Sequence, residues 1–99
     1  MKLDLNKPLL NLEGTQIEDA TIGKVLASNL AAASEGDAVK YMLWAVLLYK
    51  GSPIEVDKVD ADKIEKFVEN HRGLTNLAKA AILNEIDEQR KAQKETAKE

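Results

Sequence analysis

The chain has 99 residues, 44% of them hydrophobic and 31% charged, which is the balance of one globular domain rather than of a disordered segment. A formal net charge of −3, with acids and bases mixed along both halves, gives no basic footprint and argues against nucleic acid as a partner. Cysteine is absent, which excludes disulfides, thiolate metal sites and thiol nucleophiles, and favours a cytoplasmic protein.

The first ten residues carry Asp4 and Pro8 where a signal peptide would be continuously apolar. The longest apolar run, Tyr41 to Tyr49, is less than half of the ~20 residues that a membrane span needs. Leu3 and Leu5 alternate with polar neighbours, and Leu9-Leu10-Asn11-Leu12 leads through Glu13-Gly14 to Thr15-Gln16-Ile17. Alternation around a glycine turn predicts a hairpin with strands over 9–12 and 15–18, and Pro8 marks a strand start or an edge. Such a hairpin is not stable alone and must lie on helices or on a partner.

Ile22, Val25, Leu26, Leu30 and Ala33 recur at helical spacing, with Thr21 as N-cap and Asp19 as the alternative. Gly23 falls in the first turn, where close packing would favour it. Gly36 then stops the pattern and Asp37 caps the next helix, which runs from about Ala38 to Lys50 with Gly51 as its stop. Ile54 and Val56 alternate with Glu55 and suggest a brief strand. A third helix is expected from Asp60, or from Asp57, to near His71, with Val59, Ile64, Phe67 and Val68 on its apolar face. Leu74, Leu77, Ala78, Ala81, Ile82 and Ile86 predict a fourth, with Thr75 as N-cap.

The expected fold is therefore mostly α (α+β): an N-terminal β-hairpin packed on a compact bundle of about four helices. Residues 1–86 form one globular domain, and 87–99, which lack large apolar residues, form a charged tail that is helical or disordered.

No constellation of residues points to catalysis, a metal or a cofactor, and an enzyme is not expected. His71 is the sole histidine and lies at a helix end, where a capping or surface role accounts for it better than a general base oriented by Glu69. Asp57, Asp60, Asp62 and Glu65 fail the EF-hand spacing, since the sixth and twelfth positions counted from Asp57 hold Asp62 and Val68. Their plainer use is capping and a negative first turn. The scattered glycines form no phosphate-binding loop.

The second helix has more functional reach. Val39, Met42, Leu43, Val46 and Tyr49 make one apolar stripe, and Tyr41, Trp44, Ala45 and Leu48 cover most of the opposite side. A helix apolar nearly all round is normally buried. If one face stays open, Tyr41, Trp44 and Leu48 are the candidate partner-binding residues, because Trp and Tyr are enriched in binding hot spots. The partner would be another protein or a second copy of the chain.

The order of these features carries a resemblance. Leu12-Glu13-Gly14-Thr15-Gln16-Ile17 has the form L-(D/E)-G-x-x-I before a helix, and Gly36-Asp37-Ala38-Val39-Lys40 leads to Trp44-Ala45. An Ile54-Glu55-Val56 connector then precedes an acid-capped helix and the segment Leu74-Thr75-Asn76-Leu77-Ala78-Lys79-Ala80. Across most of 1–86 the chain resembles small proteins of tailed bacteriophages and prophages, among them tail assembly chaperones and uncharacterised phage proteins. The resemblance implies an accessory protein in the cytoplasm of a bacterial host that binds another protein, such as a tail component. It implies no enzymatic activity. Two alternatives stay open: a small phage regulator or inhibitor that binds a host protein or nucleic acid, and a minor structural protein of the virion.

Overall fold

The structure, a computed structural model, describes residues 1–34 and 36–98. The elements in chain order are β1 (Lys2–Leu3), β2 (Pro8–Leu10), β3 (Gln16–Thr21), α1 (Ile22–Ala32), α2 (Ala38–Tyr49), β4 (Ile54–Glu55), α3 (Lys58–Asn70) and α4 (Asn76–Lys98). This is the expected α+β arrangement of a hairpin and four helices.

The hairpin is shifted from its expected bounds. β2 and β3 pair antiparallel with Pro8 opposite Thr21 and Leu10 opposite Gln16, and the register slips between the two pairs. Asn11 closes the turn, its Oδ1 accepting from the backbone N–H groups of Glu13 (2.9 Å) and Thr15 (3.0 Å). Residues 11–15 therefore belong to the turn, which leaves Leu12 exposed. Asp19 sits at φ 55°, inside β3, so it is part of the strand irregularity and not a helix cap. Thr21 is the cap: its hydroxyl accepts from the Lys24 N–H at 3.1 Å.

A second antiparallel pair joins the chain start to the connector after α2. β1 meets β4 with Lys2 opposite Glu55 and Leu3 opposite Ile54. The alternation read in Leu3 and Leu5 and in Ile54 and Val56 places all four side chains in the core. Each fully buried side chain of this kind contributes about 1.5–3 kcal/mol relative to leaving it in water.

α1 and α2 pack closely, and Gly23 lies where they meet the N-terminal segment. Its N–H donates to the Leu5 carbonyl at 2.9 Å. A Cβ at this position would stand 3.1 Å from the carbonyl oxygens of both Leu48 and Leu5. The core then collects Leu26, Ala27 and Leu30 from α1, Trp44, Ala45 and Leu48 from α2, Ala61, Ile64 and Val68 from α3, and Leu74, Ala78, Ile82 and Ile86 from α4 and the turn before it.

α3 starts at Lys58 because Asp57 caps it, accepting from the Asp60 N–H at 2.7 Å. That start turns Ala61, Ile64 and Val68 inward and Val59 outward, so Val59 does not join the apolar face expected of it. Thr75 caps α4, accepting from the Ala78 N–H at 3.2 Å. α4 is helical well past Ile86, and packing continues with it. The Gln89 side chain exchanges hydrogen bonds with the Asp4 backbone, and Arg90 pairs with Asp62 (2.9 Å) and Glu65 (2.5 Å) of α3. The change of composition at Asp87 therefore precedes the last contacts with the domain. Glu99, the end of the expected tail, lies outside the described residues.

Gly23→Ala is expected to destabilise the domain by about 1–3 kcal/mol, because the two carbonyl oxygens facing the new methyl belong to backbone that cannot rotate away. Chemical denaturation of the two proteins checks this; an unchanged or raised midpoint would contradict it.

Candidate protein-binding face

α2 is held at both ends by local chemistry. Asp37 Oδ1 accepts from the Lys40 N–H at 3.2 Å. After the helix, Gly51 takes φ 85°, and the N–H groups of Gly51 and Ser52 return to the carbonyls of Leu48 (3.1 Å) and Leu47 (2.9 Å). Between these ends Lys40 is the one charged residue.

The structure resolves the two apolar sides of α2. Trp44, Ala45 and Leu48 point into the core, Trp44 with 3% and Leu48 with 1% of their surfaces exposed. Tyr41 is half-buried beside them, stacked on Trp44 with ring centres 5.8 Å apart and edge-on to Phe67 at 5.7 Å. Of the three residues expected to face a partner, Trp44 and Leu48 are thus turned away from solvent and Tyr41 is partly covered. The opposite stripe is open: exposure runs from 44% at Val46 and 47% at Met42 through Leu43 and Tyr49 to 83% at Val39.

The choice between the two sides has a physical basis. The side carrying Trp44 also carries Ala45, and the helix it meets carries Gly23 and Ala27; small residues let the backbones approach. Trp44 removes the largest apolar area from water when that side goes inward.

Lys40 fixes the rim of the inner side. Its Nζ pairs with Asp60 Oδ1 at 2.6 Å and lies 5.5 Å from the centre of the Trp44 ring. The hydrogen bond to Asp60 raises the Lys40 pKa above its ordinary value against the opposing effect of desolvation, and the same bond holds the Asp60 carboxyl below its own. The acidic cluster seen in the sequence is therefore occupied: Asp57 caps α3, Asp60 holds Lys40, and Asp62 and Glu65 hold Arg90. Among the described residues no group of His, Asp or Glu is arranged to hold a metal ion.

A shallow groove of ≈ 380 Å³ runs along the open side between α1 and α2, lined by Ala27, Ser28, Ala31, Met42, Val46 and Tyr49, among others. Lys24 of α1 stands over the Tyr49 ring at 5.8 Å. A second hollow of ≈ 560 Å³ is bordered by Tyr41, Lys63, Lys66, Phe67 and His71, among others. There His71 Nε2 meets Asn29 Oδ1 at 2.9 Å and its ring stacks on Phe67 at 4.8 Å. These contacts tie the end of α3, where His71 is the C-cap, to α1. The arrangement offers apolar contact along α2.

Among the described residues no helix is long and apolar enough to cross a membrane. Comparison with protein-family models, with curated protein sequences and with solved structures finds no match.

Replacing one residue on each side of α2 separates their roles. Leu48→Ala is expected to cost about 2–5 kcal/mol of stability, as emptied core sites do. Leu43→Ser in dilute solution should stay within about 0.5 kcal/mol of the parent. Thermal or urea unfolding gives both values; equal losses at the two positions would contradict the assignment of sides.

Proposed function

We propose that the protein works by binding another protein through the open face of α2, as an accessory protein of the tailed-bacteriophage type in the cytoplasm of a bacterial host. The observation that carries the binding reading is the stripe Val39, Met42, Leu43, Val46 and Tyr49, five large apolar side chains exposed on one side of one helix. Contiguous exposed apolar surface on a small domain usually marks an interaction site. The 3–4 spacing of positions 39, 42, 46 and 49 suits a helix lying alongside, which would place its own side chains between those of α2.

The phage affiliation rests on the sequence resemblance described above. Within it, the tail assembly chaperone is the reading that best suits this face: such a protein shields apolar surface on a tail component until assembly. The acidic balance and the ion-paired basic side chains Lys7, Lys40 and Arg90 favour a protein over a nucleic acid as the partner.

The test is co-expression with tail components from the same source. The wild-type protein is expected to retain one tail component through purification, and Leu43→Glu, which places a charge at the centre of the stripe and leaves the core intact, should lose it. Retention unaffected by Leu43→Glu, or no tail component retained by the wild type, would overturn the proposal.

A further inference from the structure

The open stripe has an internal symmetry that says what fits it. Four of its five positions pair about a point near residue 44: Val39 with Tyr49, and Met42 with Val46, with Leu43 flanking the seam. Numbered as a heptad, 39 and 46 take the first core position and 42 and 49 the second. In an antiparallel helix pair those two kinds of position face each other across the seam. The small, most exposed Val39 would meet the large Tyr49, so bulk is matched along the seam. A stripe that is complementary to its own reverse is what an isologous two-fold contact requires.

The charges at the ends obey the same symmetry. Asp37 stands at the N-cap of α2 and Lys50 at its C-cap, with Lys24 of α1 close to Tyr49. Antiparallel pairing sets the acidic end of one α2 against the basic end of the other, and opposes their dipoles favourably. A parallel pairing would set like charges together at both ends.

Area decides how much of the surface must take part. A standard interface buries about 800 Å² per partner, whereas the largest apolar patch of a typical monomer is roughly 300–600 Å². One face of a 12-residue helix is smaller than a standard interface, so a stable contact must also use the groove wall on α1. Ser28 and Ala31 are small and exposed there, and leave room for side chains from the other molecule.

We infer that the occupant of this face, when no other protein covers it, is a second copy of the chain: α2 packs antiparallel on α2 across a two-fold axis near residue 44, and the two α1–α2 pairs form a four-helix layer. This rests on the reading of α2 as a protein-binding face and gives that face an occupant in the absence of the other protein. Any other protein that uses the face must compete with the second copy.

Because the chain contains no cysteine, single-cysteine variants report the geometry without background. Val39→Cys and Tyr49→Cys replace exposed residues and leave the core untouched. An oxidised equimolar mixture is expected to yield a disulfide-linked dimer holding one chain of each kind. Neither variant alone should link, since two copies of either position lie about 15 Å apart along the axis. Sedimentation equilibrium of the wild type should give twice the 10.9 kDa chain mass at high micromolar concentration, falling to the single-chain mass in Leu43→Glu and in Val46→Glu. Trp44 fluorescence confirms that each variant is folded. Efficient self-linking of Val39→Cys would show a parallel contact and overturn the geometry. A wild type that keeps the single-chain mass at every concentration would overturn the second-copy proposal. It would leave the binding face itself to be judged by retention of a tail component, where Leu43→Glu gives a separate answer.

Discussion

A helix that is apolar on nearly every side imposes the constraint from which the rest of this structure follows. α2 carries one charged residue in 12, and a 99-residue chain has few elements with which to surround it. One side is covered to completion: Trp44, Ala45 and Leu48 are sealed by α1, by the N-terminal segment and by β4. The other side is left as five exposed apolar side chains. Solvation of that stripe is unfavourable, and exposed apolar surface of this kind usually marks an interaction site.

The covering of the inner side depends on short backbone distances. Gly23 brings the start of α1 against the carbonyls of Leu5 and Leu48 at once, so the N-terminal segment and α2 close on the same point. The β1–β4 pair then fixes the chain start to the connector after α2, which buries Leu3 and Ile54 on the same core. On the far side, charges do the positioning. Lys40 to Asp60 ties the first turns of α2 and α3, and Arg90 ties α4 to Asp62 and Glu65. Residues that could have formed an acidic site are thereby used as structural links.

The helices were legible in the sequence because their ends are written in local chemistry. Thr21, Asp37, Asp57 and Thr75 each accept a backbone N–H of the helix that follows, a role set by residue type and position alone. The strands were less legible. β1 and β4 are two residues each and are defined by pairing of Lys2 with Glu55 and Leu3 with Ile54, far apart in sequence, for which alternation is only half of the signal. The choice of Asp57 over Asp60 as cap, left open by the sequence, decided which way Val59 points. At the candidate site the sequence displayed both stripes of α2, yet which of them faces the core depends on how α2 meets α1 as well as on α2 itself. Gly23 and Ala27 of α1 and Ala45 of α2 lie on the side that closes.

Trp44 is the sole tryptophan, so its fluorescence reports the inner side of α2 without interference. Acrylamide quenching of the native protein should be several-fold weaker than that of the urea-unfolded chain, with emission shifted to the blue, because the indole is 3% exposed. Native quenching as strong as that of the unfolded chain would place Trp44 in solvent, exchange the two sides of α2, and remove the basis for assigning the open stripe.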